Sequence, residues 1–478
     1  HEYLPVLHLL DALDEGGNRV SCAADLLDGL QRQWTEYLAQ NPDTPPLLQA
    51  RIERALAVLA KIADGEVQSN SRATVESHNQ AALGAIARTM ENSVVLLHEP
   101  RPAAILHDQA VWVTAPARID FAGGWSDTPP ICIERGGTVL NAAVILNRQY
   151  PVQVVAKLND ERCIRLTSID LGQQEIYREA SDINGPPDLG HWSSLAKSAL
   201  VLSGIVPERG LDGKSGSLDR WLDALGGGID LTLFSGLPKG SGMGTSSILG
   251  AAVLACLARV LGQEPTHSEL IAQTSLLEQR MTSGGGWQDQ VGGIVAGVKL
   301  CRTTPGLLQT PALQWTVFGG AGPTSDLLQR RLLLYFTGQK RLAKNILQNV
   351  VLRYLAREPE VMRIVDRLKD GAETAKQALE ANDLATFADC VSGYWDLKKA
   401  IDPGSTNATV ESIFDKVRPY TSAHSLCGAG GGGFMLLMAR DEDASYEIRR
   451  ALQNDPPNEQ ARFFDFEIDQ QGLAVTVL

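Results

Sequence analysis

The stretch Pro238-Lys239-Gly240-Ser241-Gly242-Met243-Gly244-Thr245-Ser246-Ser247 offers backbone amides and hydroxyls, the equipment for holding phosphate oxygens. Three glycines alternate over five residues; lacking a Cβ, they let the main chain approach a ligand closely and adopt positive φ. An apolar strand pattern precedes the loop and an apolar helix pattern follows it. Its N–H groups therefore feed a helix N-terminus, where unsatisfied donors and the helix dipole favour an anion. Thr245, Ser246 and Ser247 add hydroxyls able to bind phosphate or magnesium. A glycine-rich turn capped by Ser or Thr is the plainer reading. The stretch lacks the Gly-Lys-Ser/Thr ending of a P-loop, and its spacing is not the dinucleotide fingerprint.

Acids suited to phosphoryl transfer follow. Gly284-Gly285-Gly286 leads into Trp287-Gln288-Asp289-Gln290 and then Gly292-Gly293. A carboxylate among glycines can be held close to a substrate, which makes Asp289 the candidate base. Glu278, eleven residues earlier, falls near the end of a helical pattern and could hold Mg²⁺, which takes oxygen ligands shared with nucleotide phosphates. An exposed helix glutamate is the alternative. A third segment, Pro116-Ala117-Arg118-Ile119-Asp120-Phe121-Ala122-Gly123-Gly124-Trp125-Ser126-Asp127-Thr128-Pro129-Pro130, puts an arginine and two aspartates between a strand and a Pro/Gly-rich turn. Such carboxylates accept hydrogen bonds from sugar hydroxyls; loop decoration is the bland reading. The run Gly428–Gly433 satisfies GxGxxG yet precedes the apolar strand Phe434–Ala439 rather than a helix, so it is no nucleotide fingerprint.

The elements that must position these residues are legible as periodicity. Residues 1–106 read as a helical linking segment, with three- and four-residue spacing in Cys22–Leu38, Leu47–Ala63 and Ala73–Leu97. Strands are expected at Val111–Thr114, Val139–Leu146, Val152–Ala156, Cys163–Ser168, Gly228–Leu233 and Ile294–Leu300. Helices are expected at Ser246–Leu261 and His267–Met281, the latter opened by a Thr266/Glu269 capping box. A strand at Arg331–Phe336 and helices at Arg341–Ala356, Glu360–Ala381, Leu384–Ala400 and Thr409–Pro419 complete the pattern. These give an α+β chain divided at 107–324 and 325–478.

A net charge of −13 argues against a nucleic-acid binder relying on a broad basic face. Apolar residues at 44% and charged residues at 21% are ordinary globular usage. Seven scattered cysteines without a CxxC pair point to reduced thiols in a cytoplasmic protein. The histidines show no metal-ligand spacing, Met243 reads as packing, and no apolar run is long enough to span a bilayer. A start at His1 instead of Met is what a piece of a longer chain would show.

Taken in order, Ala115–Asp120 with Gly123–Asp127, then Pro238–Ser247, then Cys427–Gly433 resemble the three motifs of the GHMP kinase superfamily, over about residues 110–440. The resemblance implies a ribosomal-protein-S5-like N-terminal α+β domain and a ferredoxin-like C-terminal domain. It implies that the middle loop wraps ATP phosphates, that Ser246 (with Ser247 second) and Glu278 bind Mg²⁺, and that Asp289 accepts the proton of the attacking hydroxyl beside Arg118. Asp127 would grip the substrate, with Asp120, Gly124, Trp125, Gly286, Trp287, Gly430 and Gly431 around it. Galactokinases carry Gly-Glu-His-x-Asp where this chain has Gly123-Gly124-Trp125-Ser126-Asp127. Phe121–Pro130 and Gly284–Gln290 look instead like the L-fucokinase branch, free-standing or fused to an upstream L-fucose-1-phosphate guanylyltransferase, with an indole of Trp125 or Trp287 covering the C6 methyl of L-fucose. A heptose 7-phosphate 1-kinase is the near rival, and a non-catalytic sugar or nucleotide sensor is the rival of another class.

Overall fold

A computed structural model describes residues 24–63, 69–91, 99–185, 187–188, 190–208, 217–238, 240–281, 285–307, 309–315, 329–339 and 344–478. Helices α1 (Ala24–Gln40), α2 (Pro46–Ala63) and α3 (Ser69–Glu91) come first. There follow β1 (Ala110–Ala115), β2 (Ala117–Ala122), α4 (Ile131–Arg135), β3 (Thr138–Leu146), β4 (Val152–Asn159), β5 (Ile164–Ser168) and β6 (Gln173–Tyr177). Next are α5 (Ser194–Leu202), α6 (Leu218–Leu225), β7 (Gly228–Ser235), α7 (Thr245–Val260), α8 (His267–Arg280), α9 (Gln288–Ile294), β8 (Val298–Arg302) and β9 (Ala312–Trp315). The remainder comprises β10 (Leu332–Phe336), α10 (Lys344–Leu355), α11 (Pro359–Glu380), α12 (Leu384–Ile401), α13 (Ala408–Val417), β11 (Thr421–Leu426), β12 (Phe434–Ala439), α14 (Glu442–Asn454), β13 (Arg462–Phe464), β14 (Phe466–Ile468) and β15 (Ala474–Val477).

Three sheets form among the described residues. One has six strands in the order β15-β1-β4-β7-β5-β6, all antiparallel except the parallel β5–β7 pair. A second runs β14-β3-β8-β9, with β2 also paired to β3. The third, β11-β12-β10-β13, is antiparallel. Helices α5, α7, α8 and α9 share one core with the six-stranded sheet. The second sheet shares another with α11, α12 and one face of the third sheet. Strand period 2 explains why β10 and β12 are apolar throughout: Leu334, Phe336, Phe434 and Leu436 face that core, while Leu333, Tyr335, Met435 and Leu437 pack under α13 and α14.

The Thr266/Glu269 capping box opens α8 as the spacing predicts. Two expectations are refined. Ile294–Leu300 is not one strand: α9 ends at Ile294 and β8 starts at Val298. Arg118 and Asp120, expected between a strand and a Pro/Gly-rich turn, themselves lie on a strand, β2. Within the expected 325–478 unit, β14 pairs β3 and β15 pairs β1. Residues 92–98 and 341–343, which end one expected helix and begin another, lie outside the described residues. Among the described residues no helix is long and apolar enough to cross a membrane, and Cys132, Cys163, Cys256, Cys301, Cys390 and Cys427 are free thiols.

Candidate active site

The loop between β7 and α7 owes its shape to glycine. Gly240, Gly242 and Gly244 have φ of 70°, 78° and 75°, a region that costs an L side chain roughly 1–2 kcal/mol. Gly244 is the N-cap of α7, and the sixteen-residue helix leaves the amides of its first turn for an anion. A second glycine run clasps this loop from below. Phe434 N–H donates to Ser241 O at 3.0 Å, and a Cβ on Gly242 would lie 2.3 Å from Cys427 O. Gly431 N–H donates to Ser405 O and its own carbonyl accepts from Asn407. Gly430 and Gly431 are thus spent on the packing of 405–407 against the loop, and the structure brings neither to an open substrate site. Lys239 lies outside the described residues. Met243 is fully buried.

The loop meets the candidate base. A Cβ on Gly244 would stand 3.2 Å from Cβ and Cγ of Asp289, which opens α9. Asp289 Oδ1 accepts from Arg118 Nε at 2.7 Å, and its side chain keeps 27% exposure while Arg118 keeps 3%. One Arg118 Nη1 also donates to Gly242 O at 2.7 Å and Asp120 Oδ1 at 2.9 Å. Burial works against the Arg118 cation, but Asp289 and Asp120 outweigh it and hold the guanidinium protonated. Glycines let α9 press this close: a Cβ on Gly292 would meet the Arg118 side chain at 2.4 Å, and one on Gly293 would meet Ile248 at 2.5 Å.

Asp120 has a different job from the one expected. Its oxygens accept from Arg118, Gly428 N–H (2.9 Å), Tyr394 Oη (2.7 Å) and Lys398 Nζ (3.1 Å). With four donors on a fully buried carboxylate, no lone pair remains for a substrate. Burial opposes its charge, yet Lys398 and then Arg118 bring the carboxyl down to about 2. Asp120 ties β2, α12 and the 428 run together beneath Arg118. Spacing carried a signal for Lys398: Val391, Tyr394, Lys398 and Ile401 recur at three- and four-residue intervals, so the lysine stands in an apolar stripe.

Asp127 is free to do what the sequence suggests. It is fully buried, Oδ2 accepts from Gln288 N–H at 3.0 Å, and among the described residues Oδ1 has no partner. Burial pushes its carboxyl up to about 7 against the pull of that amide. Two further buried acceptors lie around it without donors, Gln288 Oε1 and Asn141 Oδ1; Asn141 Nδ2 donates to Gln288 O at 3.2 Å. Neither was singled out from sequence, although Asn141 is the lone polar residue in Val139–Leu146. Gly124 and Gly286 make room: a Cβ on the first would meet Tyr394 Oη at 2.2 Å, and on the second Asp127 Oδ2 at 2.0 Å. Trp125 and Trp287 are 5% and 3% exposed and pack into the two cores.

Glu278, on α8, is buried and accepts from Ser247 Oγ at 2.5 Å, whereas Ser246 is exposed. The hydroxyl joined to Glu278 is therefore Ser247, in place of the preferred Ser246. Burial lifts the Glu278 carboxyl to about 7, Ser247 opposes this, and the Asp289 charge adds to it. Among the described residues no cluster of three His, Cys, Asp or Glu could hold a metal. Mg²⁺ asks for less, usually one or two carboxylates beside phosphate and water oxygens. An all-oxygen pair of Glu278 and a serine, charge-coupled to Asp289, fits it.

Beside α5 opens a cavity of about 290 Å³ lined by Tyr177, Ile183, His191, Ser194 and Lys197; Ser198, also on its wall, donates to Met281 Sδ just past α8. A larger cavity of about 600 Å³ between α14 and the β13–β14 turn touches none of these residues.

The pattern described as "GHMP kinases N terminal domain" matches residues 215–297, spanning the loop and Asp289, and "GHMP kinases C terminal" matches 375–458, spanning the 428 run. The chain belongs to the GHMP kinase family. Its α+β architecture matches other GHMP folds: a heptose 1-phosphate kinase of Bacteroides thetaiotaomicron superposes with TM-score 0.56 at 19% identity over 77% of this chain and 98% of that one. Lactococcus lactis galactokinase gives 0.57 at 16%, over 77% and 95%. The chain is 37% identical over 375 residues to an L-fucokinase/L-fucose-1-P guanylyltransferase of Bacteroides fragilis, covering 78% of the chain and 39% of the relative. It is 34% identical to a bifunctional fucokinase/GDP-fucose pyrophosphorylase of Arabidopsis thaliana, over 74% and 32%. A D-glycero-alpha-D-manno-heptose 7-phosphate kinase of Campylobacter jejuni is 26% identical over 75% and 96%. The chain thus spans well under half the length of the two bifunctional relatives.

Proposed function

We propose that the chain is an ATP-dependent sugar kinase that phosphorylates the C1 hydroxyl of L-fucose, giving β-L-fucose 1-phosphate and ADP. The observation that carries a polyol acceptor is the trio Asp127 Oδ1, Gln288 Oε1 and Asn141 Oδ1, buried acceptors without donors next to Asp289. An unmet buried acceptor costs about 1–3 kcal/mol, and sugar hydroxyls would supply the missing protons.

In this reading the α7 N-terminus and the glycine loop hold the triphosphate, and the 290 Å³ cavity by α5 takes the nucleoside. Asp289 Oδ2 orients O1 and receives its proton as O1 bonds to the γ-phosphorus and the bond to the β–γ bridging oxygen breaks. Arg118 keeps the base fixed through its hydrogen bond to Asp289 Oδ1. Mg²⁺ held by Glu278 and Ser247 would neutralise phosphate charge as it develops. Alignment and charge carry most of such a loose transition state.

Fucose is favoured over a heptose 7-phosphate by charge. Arg118 and Lys398, two buried cations beside Asp120, are both committed to carboxylates, which suits a neutral sugar. The Campylobacter relative keeps the second sugar worth testing. The two bifunctional relatives make an upstream guanylyltransferase segment the partner this reading implies, with the product passing to nucleotidyl transfer. A coupled ADP-release assay with L-fucose, D-galactose, D-arabinose and a heptose 7-phosphate tests the assignment. Turnover highest on L-fucose supports it; preference for the heptose phosphate replaces the sugar, and no sugar-dependent ADP release leaves the sensor reading.

A further inference from the structure

We infer that α2 and α3 are a brace that sets the acceptor turn, with Glu134 as the positioning residue through which they act. This rests on the reading of Asp127 as an acceptor-site group.

Helix α4 has five residues, too few to be stable alone, since isolated helices shorter than about 12 residues are marginal. It is also the continuation of the acceptor turn. Thr128 N–H donates to Trp125 O, Cys132 N–H to Thr128 O and Glu134 N–H to Pro130 O, at 3.2, 3.1 and 3.1 Å. Whatever clamps α4 therefore fixes the backbone that carries Asp127. The clamp closes on Glu134, whose carboxylate is 11% exposed. Oε1 meets Arg51 of α2; Oε2 accepts from Tyr354 Oη at 2.8 Å and pairs with Arg357 at 3.1 Å.

Arg51 does not act from a loose appendage. Next to it, Arg54 Nε donates to Leu352 O at 3.0 Å, and Ala50, Ala82, Ala85 and Ile86 pack with Val351 and Leu355 of α10. Helix α3 also lies against α8, the carrier of Glu278. A segment that reads as mere linkage in sequence thus touches the elements presenting the acceptor acid and the metal acid. Arg51 stands outside the catalytic machinery, so removing it separates bracing from chemistry.

The experiment compares wild type, Arg51→Ala and Arg51→Lys in the full chain by amide hydrogen exchange and steady-state kinetics. Exchange needs no substrate: the amides of Thr128, Cys132 and Glu134 are expected to exchange faster in R51A, with that of Ile248 at the start of α7 unchanged and R51K near wild type. In kinetics, R51A is expected to raise KM for L-fucose by about three- to twentyfold while KM for ATP and kcat hold and R51K recovers most of the loss. Unchanged exchange at 128–134 overturns the brace. Faster exchange with an unchanged fucose KM, or a parallel rise in KM for ATP, overturns its link to the acceptor site. A wild-type chain that phosphorylates no sugar counts against the fucose reading, and the exchange data still decide the brace.

Discussion

Asp120→Asn probes the buried network most sharply. In the fold, Asp120 and Lys398 are both fully buried and face each other at 3.1 Å. Asparagine keeps one acceptor but turns an NH₂ toward two of the four donors, and it strands the lysine charge. Breaking one side of a buried, hydrogen-bonded ion pair costs about 3–5 kcal/mol. Proton linkage gives an independent figure for the charge part. A carboxyl at about 2 in the fold against its ordinary 3.8 contributes, at ~1.4 kcal/mol per tenfold change, roughly 2–3 kcal/mol of stability. Because the folded value is depressed, that contribution is whole above pH 4 and is lost as pH falls from 4 toward 2. The variant lacks it, so its deficit should be largest near neutrality and narrow below pH 4. Urea unfolding followed by tryptophan fluorescence at pH 7, 5, 4 and 3.5 measures this. Lys398→Met added to D120N should recover part of the loss by removing the stranded charge. A deficit under about 1 kcal/mol at pH 7, well short of the buried-pair cost, would refute the reasoning, as would a gap that does not shrink with acid.

Asp289→Asn should fold normally and lose turnover by at least about a hundredfold; near-normal ADP release from the folded variant rules Asp289 out as the base. Ser247→Ala should raise the Mg²⁺ concentration needed for half-maximal rate more than Ser246→Ala, since Ser247 Oγ donates to Glu278 while Ser246 is exposed, and the reverse order in a Mg²⁺ titration returns the role to Ser246. Gly124→Ala puts a methyl 2.2 Å from Tyr394 Oη and 3.2 Å from the Gln288 amide; it should raise the acceptor KM with the ATP KM little changed, and equal effects on both would place Gly124 outside the acceptor site.

Much of this was legible because local pattern and tertiary role agreed. The α8 capping box, the apolar β12 and the glycine loop before α7 are local signals that packing had no reason to override. Strand β2 was harder: every residue of Ala117–Ala122 is buried, so the two-residue alternation that marks a strand is erased. Helix α9 contains Gly292 and Gly293, poor helix formers, retained because Arg118 and Ile248 occupy the space of their side chains. The acids and Arg118 stood in recognisable motifs. Asn141, Tyr394 and Lys398 did not, since each gains its meaning from partners far along the chain. The same distance hid the return of β14 and β15 to the first two sheets, and the Ser247–Glu278 contact that reorders the two serines.

The clasp between the loop and the 427–434 run sets an order of events during synthesis. A nascent polypeptide that has cleared the ribosome only through α9 possesses both the glycine loop and Asp289, yet Ser241 and Gly242 still lack the backbone that seats them. In the proposed reading, competence awaits translation of residues 427–434, and β15, one of the two strands paired to β1, arrives later still. A gene split anywhere between these points would yield two inert halves whose reassociation could be followed by the return of ADP release.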